Sequence, residues 1–150
     1  MTLTVTSPSF QEGQRIPDLF TCKGEDGSPE LRIAGVPSGT KSLALVMEDP
    51  DAPRGTWTHW TAWDLPPLLT TILPGFQPAT QGGVEGTTSA GTAGYHGPCP
   101  PPGKPHRYYF RVYALDGPLR LAAGAERSRL DEALRGRLLA QGSLMGTYSR

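Results

Sequence analysis

His106-Arg107-Tyr108-Tyr109-Phe110-Arg111-Val112-Tyr113-Ala114-Leu115 is a ten-residue run without glycine or proline. Its aromatic and branched side chains favour pleated backbone. Alternation puts His106, Tyr108, Phe110, Val112 and Ala114 on one face, and Arg107, Tyr109, Arg111 and Tyr113 on the other. That is a strand with one face on a core. Upstream, Ser42–Glu48 (SLALVME) is an apolar run too short for a helix between breakers and reads as a buried strand. Trp57–Leu65 (WTHWTAWDL) reads as another, with strict alternation grouping Trp57, His59, Thr61 and Trp63. Residues 49–56 join these two strands, so they are expected to be neighbours.

Outward from these three strands the signal weakens. Leu3–Thr6 alternates and predicts a short strand. Residues 7–40 and 66–105 are broken repeatedly by glycine and proline and predict long loops. Structureless runs of that length are uncommon in compact domains and tend to be functional. Glu126–Gln141 predicts the one convincing helix, with Leu130, Ala133, Leu134, Leu138 and Gln141 at helical spacing. An Asp131–Arg135 ion pair would support it, and Gly142 would end it. Strands separated by glycine- and proline-rich loops favour a mainly β sandwich over a parallel α/β sheet.

Composition bounds the rest. The chain has 150 residues, which suits a single domain spanning residues 1–150. Its 19 glycines and 16 prolines exclude a helical bundle. Fourteen basic and fourteen acidic residues leave no net charge to recruit nucleic acid or an anionic membrane. No apolar stretch reaches the roughly 20 residues of a membrane span, and residues 1–8 lack a basic, apolar leader, so a cytoplasmic location is the expectation. The chain contains no asparagine, which fits either heat resistance or the base bias that 11 arginines against 3 lysines suggest. Cys22 and Cys99 lack metal-site spacing and are expected to be reduced in a cytoplasmic chain, although a disulfide between them stays open.

Three histidines, His59, His96 and His106, carry most of the chemical potential. His59 sits mid-strand, and His106 opens the strongest strand after the run Gly97-Pro98-Cys99-Pro100-Pro101-Pro102-Gly103. Acidic residues cluster in Glu48-Asp49-Pro50-Asp51-Ala52-Pro53, beside the end of a strand. A carboxylate next to an imidazole fixes its tautomer and favours its protonated form. Two imidazoles against a stiff proline wall make a hole for phosphate, sulfate or carboxylate.

Asp49-Pro50-Asp51-Ala52-Pro53, Trp57-Thr58-His59-Trp60, Gly94-Tyr95-His96-Gly97-Pro98-Cys99-Pro100-Pro101-Pro102-Gly103 and His106-Arg107-Tyr108 together resemble the phosphatidylethanolamine-binding protein family. The likeness is to its bacterial and archaeal, Raf kinase inhibitor-like branch. Weaker matches run through Phe20–Asp26 and Gly146-Thr147-Tyr148. The resemblance implies an antiparallel β-sandwich of a large and a small sheet with peripheral helices. It implies a pocket for phosphate-like anions and phospho-headgroups, lined here by Asp49, Pro53, Trp57, His59, Gly97, Pro98, Pro100, Pro101, His106 and Tyr108. Asp51 would orient the turn, and Ala52–Pro53 would be a cis peptide. Two segments depart from the family pattern: Thr87-Thr88-Ser89-Ala90-Gly91, and Asp64 where asparagine is common.

The leading expectation is therefore a binding module for a small anionic or phosphorylated ligand, with no cofactor, no metal and no catalytic residue. The alternatives are a regulator docking on an unknown protein, like a kinase or protease inhibitor, and a metal-dependent hydrolase using His59, His106 and Asp49. A thiol nucleophile at Cys99 is disfavoured between Pro98 and Pro100. A homodimer is implied by the resemblance, with Leu68, Leu69, Ile72 and Phe76 either supplying an exposed patch or covering the sheet.

Overall fold

The computed structural model describes residues 2–150. Its strands are β1 (Thr4–Thr6), β2 (Leu31–Ala34), β3 (Ser42–Asp49), β4 (Trp57–Leu65), β5 (Thr71–Ile72), β6 (Val84–Glu85), β7 (His106–Leu115) and β8 (Leu138–Tyr148). One helix, α1, spans Arg127–Leu134. Five strands form a large sheet in the order β6-β4-β3-β7-β8, and three form a small one, β1-β2-β5. All pairings within the two sheets are antiparallel.

The core lies between the sheets. Val5, Leu31, Ile33 and Ile72 of the small sheet meet Leu43, Leu45, Met47, Trp60, Phe110, Val112 and Leu144 of the large one. Tyr108, Phe110, Val112 and Ala114 all face this core, as the alternation of β7 requires. The other face of the large sheet buries Ala44, Val46, Trp63 and Leu115 under Leu130 and Leu134 of α1. Both faces of β3 are thus covered, which explains its unbroken apolar sequence. Glu48, almost buried, accepts Arg111 Nε at 3.2 Å and lies 2.7 Å from Arg127 Nη2, so one carboxylate ties α1 to the sheet.

The expected helix over Glu126–Gln141 is only half present. It stops at Leu134, because Gly136 adopts a left-handed φ of 74° and turns the chain into β8. Asp131 pairs with Arg127, not with Arg135. Gly142, expected as a helix cap, lies in β8 where a Cβ would strike the backbone of Leu3. In β8 the core takes Ala140, Leu144, Gly146 and Tyr148, an alternation in which glycine and alanine hide the strand signal. β2 falls within residues 7–40, where loops were expected. The Ala52–Pro53 bond is trans, since no peptide among the described residues is cis. Ile72 is buried and Leu69 and Phe76 pack against the core, so only Leu68 of the four loop apolars is fully in solvent.

Candidate functional site

The site forms where β3, β4 and β7 end together on the core face of the large sheet. Asp49 closes β3, Trp57 opens β4 opposite it, and His106 opens β7. His59 arrives by an irregularity. Glu48 pairs with Thr58 and Met47 with Trp60, so His59 is the extra residue of a β-bulge. The bulge lets His59 and Trp60 share the core-side face, whereas Thr61 and Trp63 turn away. Strict alternation, which groups His59 with Thr61 and Trp63, is therefore wrong at this strand. The His59 ring meets the Tyr108 ring edge-on at 5.3 Å between centroids, and the His106 ring stacks beside Tyr108 at 6.5 Å.

These side chains line a cavity of about 360 Å³, open to solvent. Of the ten residues expected there, Asp49, Pro53, Trp57, His59, Gly97, Pro100, Pro101, His106 and Tyr108 line it. Pro98 does not. Its carbonyl instead accepts the Cys22 amide at 3.2 Å, behind the wall. Sequence reasoning missed Cys22, Asp26, Ala52, Ala90, His96 and Cys99. Five of these lie inside the segments that carry the resemblance, so the signal was present without a role attached. Ala90 sits in the Thr87–Gly91 segment that departs from the family pattern, and Ser89 of that segment hydrogen-bonds the Thr58 amide through its hydroxyl.

Hydrogen bonds fix both imidazoles. His106 Nδ1 lies 2.7 Å from Asp49 Oδ2, and the other Asp49 oxygen accepts the Asp51 amide at 2.7 Å. Asp51 in turn accepts the Arg107 amide, Nε and Nη2, so it orders the turn as expected. Those bonds from Arg107 hold the Asp51 carboxyl down at about 2. His59 Nδ1 lies 2.6 Å from the His96 carbonyl, and the residue is 6% exposed. Burial pushes the His59 imidazole below its ordinary value, against the opposing pull of that carbonyl and of Asp49. Burial, and then the Asp49 charge, push the Tyr108 phenol well up, so it stays neutral.

The proline wall is latched to the segment after the 3-10 turn Asp18–Phe20. Tyr95 donates its hydroxyl to the Phe20 carbonyl, and Gly97 donates its amide to Asp26. Burial pushes the Asp26 carboxyl up despite that amide. Cys22 and Cys99 form a disulfide across a Cα separation of 5.5 Å, contrary to the expectation of reduced thiols. The latch brings positions 77 residues apart into contact, which spacing alone does not disclose. Among the described residues, no group of three or more His, Cys, Asp or Glu side chains converges to hold a metal.

A profile described as phosphatidylethanolamine-binding protein matches residues 6–149. The chain belongs to the phosphatidylethanolamine-binding protein family. A UPF0098 protein of Methanothermobacter thermautotrophicus is 44% identical over 99% of both chains. One of Aquifex aeolicus is 43% identical, covering 99% of this chain and 89% of its own. The crystal structure of a phosphatidylethanolamine-binding protein homologue from Chlamydia trachomatis is similar at a TM-score of 0.93, with 40% identity over 99% of this chain and 98% of that one. YBCL of E. coli, described as a member of the mammalian family, matches at a TM-score of 0.92 and 31% identity, covering 100% and 99%. The sandwich is thus the fold of the family. No helix among the described residues is long and apolar enough to cross a membrane.

Proposed function

We propose that the cavity binds a small oxyanion, foremost the phosphate group of a phosphorylated small molecule, and does not transform it. One observation carries this reading. Two imidazoles from different strands each spend Nδ1 on the cavity wall, which leaves both Nε2 atoms without a partner among the described residues, on rings that line one opening. Trp57 and the prolines shape the hole at little entropic cost. Binding without turnover is favoured because Cys22 and Cys99, the two cysteines lining the cavity, are both consumed in the disulfide. A cytoplasmic setting belongs to the same proposal, and with this disulfide it requires an oxidation-tolerant cytosol of the kind hyperthermophiles maintain.

Titration with inorganic phosphate and with phosphoethanolamine, following the histidine ring signals, tests the reading. Both His59 and His106 are expected to shift. His59→Ala is expected to weaken binding by about 1–3 kcal/mol, the worth of a hydrogen bond to a charged group. Ring signals that stay put at millimolar ligand contradict it.

A further inference from the structure

We propose that the cavity selects oxyanions that bring their own ionisable proton, namely phosphomonoesters and phosphonates as monoanions, with His59 Nε2 accepting the ligand's P–OH. This rests on the oxyanion reading above and narrows it. Fully deprotonated oxyanions are excluded, and so are phosphodiesters such as intact lipid headgroups.

The His96 carbonyl fixes the tautomer of His59. A backbone carbonyl has only lone pairs to offer, so the nitrogen 2.6 Å from the His96 carbonyl carries the ring's hydrogen. In the neutral ring the remaining nitrogen, Nε2, is then an acceptor. Making it a donor needs a second proton on a residue that is only 6% exposed.

The surroundings offer that proton little support. From β7, His106 and Tyr108 face His59; from β3, Asp49; from the 95–101 segment, His96; from its own strand, Trp57. Asp26, bonded to the Gly97 amide, also lines the cavity. The Asp49 carboxylate is already occupied by His106 Nδ1 and the Asp51 amide. The imidazole backed by a carboxylate is that of His106, whose Nδ1 lies 2.7 Å from Asp49. A second positive charge on His59 would face His106 and His96.

Elsewhere in the cavity the side chains able to donate are the Trp57 indole, the Tyr108 hydroxyl and the His96 ring. Among the described residues no lysine or arginine lines it, whereas two carboxylates, Asp26 and Asp49, do. Arg107 is held by Asp51 and lies over Tyr109 on the opposite face of β7. Pro53, Pro100 and Pro101 have no N–H, and the Gly97 amide is spent on Asp26. Beside these donors the cavity presents a carboxylate-backed imidazole at His106 and one lone pair at His59. A tetrahedral monoanion with one P–OH and two P–O oxygens matches that pair. A sulfonate of the same charge and shape sets oxygen lone pairs against the His59 lone pair, and a diester lacks the proton altogether.

Methylphosphonate and methanesulfonate differ by this proton, and their comparison by calorimetry on the intact protein is the test. It is run at about pH 6, near the second ionisation of phosphomonoesters, and repeated at about pH 9. Glycerophosphoethanolamine serves as the diester arm and separates a lipid headgroup from a free monoester. Methylphosphonate is expected to bind at least tenfold more tightly than the other two at the lower pH, and to lose that advantage at the higher. Nitrogen-15 spectra of the complex are expected to show His59 as a neutral ring protonated at Nδ1. Methanesulfonate or the diester binding within tenfold of methylphosphonate, or an imidazolium at His59 in the complex, overturns this inference and leaves the oxyanion reading standing. Binding of none of the three at millimolar concentration overturns both.

Discussion

His59 carries a stability signature that can be read without any ligand. Burial holds its folded-state imidazole below the ordinary 6.5. The unfolded chain takes up a proton near that pH while the folded chain does not. Wherever the unfolded state binds more protons, stability rises with pH. The contribution of His59 is therefore complete above about pH 6.5 and lost as pH falls below it, by about 1 kcal/mol per pH unit until the folded ring also titrates. Urea unfolding in phosphate-free buffer at pH 7.5 and 5.5 is expected to show a smaller acid loss in His59→Gln than in the natural chain. Equal losses contradict the burial argument. Residue identities at the site were legible in the sequence, because His59 and His106 are two of only three histidines and Asp49 stands in a distinctive Asp-Pro-Asp-Ala-Pro turn. Their grouping was less so: a two-residue period assigns His59 to the wrong face, and only the bulge opposite Met47 and Glu48 corrects it.

Among the elements, the bounds of β3, β4 and β7 were readable almost to the residue from their apolar and aromatic runs, and in β3 and β7 the pattern also matches the burial. β8 was not. Its inward positions include Gly142 and Gly146, which carry no side chain because Leu3, and Phe10 with Ile16, press against them. Small residues chosen for close approach look like helix breakers in a sequence. The proline wall obeys the same logic at Gly97, where a Cβ would overlap the Phe20 carbonyl and the Asp26 carboxylate. Gly97→Ala must push the wall off its latch. It is expected to weaken phosphate binding at least tenfold and to destabilise the fold by about 1–3 kcal/mol, as overpacking does. Gly117→Ala, whose added methyl meets only the tip of Arg137, is expected to leave binding unchanged. Equal affinities in both variants would show that the wall does not shape the site.

At the scale of the molecule, two sheets with a core between them follow from the antiparallel strands, and the cavity opens where three strands of the larger sheet end. The Cys22–Cys99 bond closes a long loop around that opening. Cross-linking positions so far apart restricts the unfolded chain, by about 4 kcal/mol in the chain-entropy view and often less in measurement. Reduction is expected to lower stability by about 2–4 kcal/mol and the Tm by roughly 5–15 °C. An unchanged melting curve with thiols verified free would show that hydrogen bonds and packing hold the latch alone. The central claim is that folding gathers two imidazoles, 47 positions apart, around one oxyanion. A crystal structure grown in phosphate tests it most directly. The expected result is a phosphate with oxygens within about 3 Å of both His59 Nε2 and His106 Nε2. A cavity holding only water at saturating phosphate, or an anion bound away from both rings, would contradict the account.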